Sequence, residues 1–377
     1  MNIYTNSADL GFDPVKVDKL LNRARREVDE GLLSAVQIAV ARHGEVAFSA
    51  SYGTAQDDSL ICLFSATKGL TSAAGWLVIQ DGLLDTSARV ADLIPEFGSN
   101  GKDAVTVEQL FTHTAGFPGA PFRPLDWNDK ARRLERFAQW RLSFEPGTKF
   151  EYHPTASMWV IAELIERVSN MAFTDFVQTR VIDPLGLKNL FVGLPAAENA
   201  RALPCEHVGE NLTPEQYKEL GIPVPPVTEV TEEAILGFND PAFREVGVPG
   251  GGGFSNATDM ALFYQALLNG DGPWKQETLD DVRRVRTGDL RDPMFRKKAN
   301  RGLGIVISGD EDRNYRGFGK TNSPLAFGHN GAGGQLAWVD PVSGISLCYL
   351  TNGHDRNEMR QGRRGVAIGS IAADTLA

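Results

Sequence analysis

Cysteine is scarce in this sequence: only Cys62, Cys205 and Cys348 occur in 377 residues, far apart and without Cys-x-x-Cys spacing. That scarcity argues against a disulfide framework or a thiolate metal site, and three buried thiols are expected instead. Positive charge is thin as well, with 38 Lys and Arg against 48 Asp and Glu, a formal net charge of -10 and no basic run. Phosphate binding needs clustered cations, so no nucleic-acid partner is expected. Long apolar runs are missing too: no stretch reaches the roughly 18 residues a spanning helix needs. The start, MNIYTNSADLGFDPVKVDKL, does not read as a secretory signal. No membrane association is expected, and the expected compartment is the cytoplasm. The six histidines, at positions 43, 113, 153, 207, 329 and 354, show no His-Glu-x-x-His spacing, so neither metal nor cofactor is implied.

What is present is patterned for a core. Asp13-Pro14 reads as a cap and first position of a helix to about Glu30, with Val17, Leu20, Leu21, Ala24 and Val28 on one face. "SAVQIAVARHGEVAFSASYG" reads as a hairpin turning at His43-Gly44. At the far end "RGLGIVIS", "LAFGHNGAGGQLAWVD" and "GISLCYLTNG" read as strands, and Arg356 onward as a closing helix. Strands near both ends with helical patterns between them predict an α+β architecture. An antiparallel sheet flanked by terminal helices would be formed by 1–84 and 272–377, with a mainly helical lobe, 85–271, inserted. Helix signals in that lobe include "VTVEQLFTHTAG" capped by Thr106, the stretch Leu134 to Trp140, and Pro154 to Asn170. The Pro-rich "GIPVPPVTEV" and the segment from Asp310 to Ser323 read as surface loops. Stretches 117–130 and 205–245, weakly patterned, are expected to supply lids over a pocket.

Two Gly-rich stretches mimic nucleotide motifs. "RGFGKT" ends like a phosphate loop, but Asn314 stands where its first glycine belongs. "GVPGGGGFSNATD" lacks the acidic partner of a dinucleotide fingerprint and reads as tight backbone packing.

The most informative stretch is "LFSATKGLTSAAGWLVIQDG", Leu63 to Gly82. Beyond its first turn it is nearly all apolar, so it belongs inside, where a lone ammonium is costly. About one Ser-x-x-Lys is expected by chance in a chain this long; Ser99 and Lys102 form a second, in the loop "GSNGKDA". Ser65 and Lys68 differ because a long apolar helix follows them and puts both side chains on one face. A hydroxyl at a helix start lies near free N–H groups that favour charge developing on a carbonyl. A desolvated Lys68 should lose affinity for its proton and accept one from Ser65. Taken alone, the segment equally allows Ser65 to be a cap and Lys68 to reach solvent.

Four further stretches, with the Ser65 helix, resemble the penicillin-recognising serine hydrolases: class C β-lactamases, D,D-peptidases and family VIII carboxylesterases. They are "VTVEQLFTHTAGFPG", "FEPGTKFEYHPTASMWVIAELIERVSNMAFTDFVQTRVIDPLGLKN", "VPGGGGFSNATDMALFYQALLNG" and "FGHNGAGGQLAWVDPVSGISLCYLTNG". The resemblance implies a β-lactamase/transpeptidase-like fold with the active site between the lobes. It makes Ser65 the nucleophile, Lys68 its partner and Tyr152 the tyrosine of the Tyr-x-Asn motif. His329-Asn330-Gly331 stands where the family carries Lys-Thr-Gly on a site-lining strand, so these residues with Ala332 are expected to contact substrate, with oxyanion N–H groups at Ser65 and near Ala332. His113 is expected to hold a loop, and His153 to cap the helix at Pro154.

Two departures bear on substrate. Pro154 replaces the motif's asparagine, removing a side-chain amide, and His329 replaces a lysine, removing a permanent charge. Both weaken the β-lactamase and peptidase readings, and an uncharged ester needs neither group. The expected activity is therefore that of a serine carboxylesterase working through an acyl-enzyme on a small-molecule ester. A β-lactamase, a D-amino-acid amidase or peptidase and an acyltransferase remain alternatives at the same site, with a non-catalytic binding protein as the competing class.

Overall fold

Alternating side chains and a left-handed turn build the first hairpin. Strands Ala35–Arg42 and Glu45–Gly53 meet at His43 (φ 54) and Gly44 (φ 81), successive positive angles that match the strand twist. The computed structural model, which describes residues 2–4, 7–221, 224 and 230–377, places this hairpin in a seven-stranded antiparallel sheet. The order is Asn2–Tyr4, Glu45–Gly53, Ala35–Arg42, Ile345–Thr351, Leu336–Val339, Phe327–Gly328, Val306–Ile307. The two ends of the chain meet mid-sheet, where Ile38 faces Tyr349 and Val40 faces Leu347.

Both faces of the central strands are buried, and the two-residue period sorts them. Val36, Ile38 and Val40 join Ile345, Leu347, Tyr349 and Trp338 in a core beneath the terminal helices, Pro14–Asp29 and Glu358–Ala373. Ala39, Ala41, Cys348 and Leu350 face the opposite way, into the larger of the two cores. The first helix is capped as its sequence requires, Asp13 accepting from Val15 N at 2.8 Å. Asn357 caps the last by accepting from Arg360 N at 2.9 Å.

The larger core is centred on helix Thr67–Gln80, buried on every side from Thr67 to Val78, as expected for a helix apolar all round. This helix packs against Ala156–Ser169. Helix Ala257–Asn269 lies instead on the sheet, where Gln265 Nε2 reaches Ala41 O (3.1 Å) and Gly344 O (2.9 Å). Two small sheets lie outside the large one: Ile61–Cys62 with Gly253–Ser255 and Leu190–Val192, and Glu206–Val208 with Gly353–Asp355 in parallel.

Several expected bounds shift for local reasons. The helix expected at Leu134 begins a turn earlier, Lys130–Gln139, because Asp129 accepts from Arg132 N (3.1 Å). The strand expected over "RGLGIVIS" shrinks to Val306–Ile307. The stretch from Phe117 to Trp127 is no free lid: Phe122 and Trp127 stack on Trp159, centroids 4.4 and 5.1 Å away. Most of the Pro-rich run at 221–230 lies outside the described residues.

The closing helix is anchored electrostatically. Asp355, fully buried, accepts from Arg360 Nη2 (2.7 Å) and Arg364 Nη1 (3.4 Å), and Arg364 is itself only 1% exposed. Removing one partner leaves a buried charge uncompensated, so Asp355→Ala should lose about 3–5 kcal/mol in a urea titration. A loss below about 1 kcal/mol would mean that Arg364 is stabilised by other groups.

Candidate active site

The Ser65 segment enters through Ile61–Cys62, and Leu63 N donates to Gly253 O (2.8 Å). Phe64 then adopts φ 45, a left-handed conformation costly for a bulky residue. Its ring is wedged edge-on against Phe238, centroids 5.6 Å apart. Ser65 follows in a single tight turn, Phe64–Ala66, leading into the buried helix.

Lys68 and Tyr152 both reach Ser65. Lys68 Nζ donates to Ser65 Oγ at 3.1 Å, and Tyr152 Oη donates to the same oxygen at 2.9 Å. Lys68 is completely buried, and Nζ also donates to Pro154 O (2.6 Å) and Gly250 O (2.8 Å). Those acceptors satisfy an ammonium far from water. The cation also lies 5.1 Å from the centre of the Tyr152 ring.

The Gly-rich run "VPGGGGF" belongs to this arrangement through its backbone. At Gly250 a Cβ would lie 3.0 Å from Pro154 O and 3.5 Å from Lys68 Nζ, so a side chain there would crowd the ammonium. Gly253 N donates to Thr67 Oγ1 (2.9 Å) and Thr71 Oγ1 donates to Pro249 O (2.6 Å), lashing the run to the helix.

The 329–332 segment extends the short strand Phe327–Gly328 towards Ser65. His329 N donates to Ala337 O (3.1 Å) and to Tyr264 Oη (3.0 Å), and Gly331 N to Gln335 O (3.0 Å). At Gly331 a Cβ would fall 2.2 Å from Leu63 O, which shows how closely this segment presses on the chain entering Ser65. Ala332 begins a short turn, Ala332–Gly334. Asn330 commits both ends of its amide to backbone, Nδ2 to Gly317 O (2.6 Å) and Oδ1 to Ala337 N (3.0 Å), so it braces the segment.

His329 lies beside Tyr152, ring centroids 6.0 Å apart. Nδ1 is 2.8 Å from Asn330 O and so carries the proton, leaving the Nε2 lone pair towards Arg301 Nη1 at 3.5 Å. Burial first, then the charges of Arg301 and Lys68, holds this imidazole well below its ordinary range, and it is neutral.

Arg301 was missed by sequence reasoning, and it corrects one expectation. Replacing the motif lysine by His329 does not strip the site of permanent positive charge, because Arg301 restores a guanidinium on a neighbouring segment. Its Cζ lies 5.5 Å from the Tyr152 ring centre and 5.2 Å from that of Phe150. Its Nε is buried without a hydrogen-bond partner among the described residues. The only signal was its place at the head of "RGLGIVIS", and a lone arginine there has no motif.

The histidines of the Tyr152 loop divide differently from expectation. His153 does not cap the following helix, which begins at Ala156 after Thr155. Its Nδ1 pairs with Glu151 O (2.7 Å) and its Nε2 accepts from Phe117 N (3.1 Å). His113 packs beneath Tyr152. Among the described residues no group of three or more His, Cys, Asp or Glu could hold a metal ion, and no helix is long and apolar enough to cross a membrane. The three cysteines are free and buried.

Comparison with known proteins identifies the family and the fold. A family model described as Beta-lactamase matches residues 21–369. The chain is 25% identical to a penicillin-binding protein homolog from Caulobacter crescentus, with TM-score 0.78 and coverage of 97% of this chain and 99% of that one. It is also 25% identical to a family VIII carboxylesterase, with TM-score 0.77 and coverage of 95% and 98%. A Salmonella paratyphi B protein named "Putative D-alanyl-D-alanine carboxypeptidase" is 26% identical over 93% of this chain and 86% of its own length. The fold is thus β-lactamase/transpeptidase-like.

Burial of His153 has a measurable consequence. Burial pushes its imidazole down to about 4 from an ordinary 6.5. As pH falls the unfolded chain takes up the proton first, so the contribution is intact above 6.5 and is lost between 6.5 and about 4. The loss is on the order of 3 kcal/mol. Urea midpoints followed from neutral pH to pH ~4 should therefore fall more steeply for the parent than for His153→Gln. Equal slopes would show that His153 is not the titrating group.

Proposed function

This chain belongs to the Beta-lactamase family, and from that premise we propose that it hydrolyses carboxylic esters through an acyl-enzyme on Ser65. The observation that carries the reading is a hydroxyl held at once by an ammonium and a phenol, Lys68 Nζ at 3.1 Å and Tyr152 Oη at 2.9 Å. With one proton of the Lys68–Tyr152 pair first released to solvent, Ser65 Oγ bonds to the ester carbonyl carbon while its own proton passes into that pair. The oxyanion is received by the backbone N–H groups of Ser65 and Ala332. The departing alkoxide takes a proton from the same pair, and water then releases the acid by the reverse route.

Three features favour an ester. His329 is neutral, Pro154 contributes only its carbonyl, and an alkoxide leaves more readily than an amine. The likeness to a family VIII carboxylesterase supports the same choice. The free thiols suit a reducing, cytoplasmic setting.

Arg301 favours a second reading at the same site, in which the substrate carries a carboxylate near the scissile bond, as a peptide terminus does. Relatives named as D-alanyl-D-alanine carboxypeptidases are in keeping with it.

On a short-chain aryl ester, Ser65→Ala should abolish turnover and Tyr152→Phe should lower kcat about 10²–10⁴-fold. Undiminished activity in a well-folded Ser65→Ala protein would exclude the assignment. For substrate class, a neutral ester is compared with one bearing a carboxylate, in the parent and in Arg301→Met. The ester reading expects the neutral compound to be hydrolysed at least as well, with less than a roughly tenfold change in Arg301→Met. A carboxylate preference of about a hundredfold that vanishes in Arg301→Met would establish the second reading instead.

A further inference from the structure

Tyr152 is gripped on both sides by a residue that never touches Ser65. Glu151 N donates to the His113 carbonyl at 3.1 Å, and His153 N donates to His113 Nδ1 at 3.2 Å. Between those two contacts the His113 ring lies against the Tyr152 ring, centroids 4.8 Å apart. One residue therefore holds the peptide groups before and after the phenol and also supports its ring.

The features of His113 are costly for a residue that merely fills space. Its φ is 58, a conformation that non-glycine residues keep only where the surroundings enforce it. Because Nδ1 accepts a hydrogen bond, the ring proton sits on Nε2, which is buried without a hydrogen-bond partner among the described residues. Burial first, then the charge of Arg301, with smaller contributions from His153, Lys68 and His329, holds the imidazole well below its ordinary range. It stays neutral, and its lone pair remains available to His153 N–H.

We propose that His113 is the positioning residue for the Tyr152 phenol, its Nδ1 and carbonyl oxygen fixing the backbone at Glu151 and His153 so that Oη stays within reach of Ser65 Oγ. The inference rests on the proposal that Tyr152 belongs to the proton relay. A displacement of about 1 Å in a reacting group can cost on the order of a hundredfold in rate. Loosening the peptide on either side of Tyr152 should therefore appear in kcat rather than in KM.

Two substitutions separate the acceptor from the backbone conformation. His113→Asn keeps both, since Asn tolerates the left-handed region and its Oδ1 can stand in for Nδ1. His113→Gly keeps the conformation and removes the acceptor. On a short-chain aryl ester, H113G should lose on the order of a hundredfold in kcat with KM within about twofold, and H113N should keep kcat within about fivefold. In a Tyr152→Phe background H113G should cost nothing further, because its effect passes through the phenol.

Full kcat in H113G, or an equal loss in the Tyr152→Phe background, overturns the proposal. If H113G does not fold, H113N decides alone: kcat within about fivefold supports the acceptor role, and a folded H113N with a hundredfold loss overturns it. Full activity in Tyr152→Phe overturns both this inference and the relay it rests on. An impaired Tyr152→Phe beside a fully active H113G overturns only the role of His113.

Discussion

A fully buried ammonium organises this protein. Taking Lys68 out of water is expensive, and an ion in such a place persists only where its donors find good acceptors. Those acceptors come from chain segments far apart in sequence: the Ser65 hydroxyl, the Pro154 carbonyl and the Gly250 carbonyl. The buried charge therefore fixes the relative positions of the Ser65 turn, the Tyr152 loop and the Gly-rich run. Thr67 and Thr71, on the same helix, hold that run from either side of Lys68. The glycines are required because the carbonyls must approach where no Cβ fits.

The sheet supplies the opposite wall. Gln335 Nε2 donates to Cys62 O and Thr351 O, both at 2.8 Å, joining the chain that leads to Ser65 to the central strand of the sheet. Tyr264, on the helix lying across that sheet, accepts from His329 N, and burial raises its phenol well above the ordinary range. It remains a neutral brace. The side chains around Ser65 thus divide by protonation: Arg301 is cationic, His329 and His113 are kept neutral by burial. That division leaves the charge of Arg301 beside Tyr152 and none at His329 itself.

Much of this was legible before any coordinates. The hairpin at His43-Gly44, the Asp13 cap and the closing helix followed from local rules, because each depends on residues within one or two turns of one another. Ser65 with Lys68 was legible for the same reason, and Tyr152 because order and context identified it. Arg301 was not, since its partners His329 and Tyr152 lie 28 and 149 positions away. Nor was the use of His153: its local sequence suits a cap, but a buried imidazole seeks partners for both nitrogens and found Glu151 and Phe117. Asn330 looked like a substrate contact from its motif position, and the amide instead completes the backbone bonding of its own strand.

The amino-acid order by itself determined the helices, strands and turns whose hydrogen bonds and apolar periods are local, together with the residue types a serine hydrolase requires. Only the tertiary structure decided which carbonyls surround Lys68, which cation stands beside His329 and which residue grips the Tyr152 loop. Backbone carbonyls have no sequence signature, and a buried charge takes its partners from whatever the packed chain brings within about 3 Å.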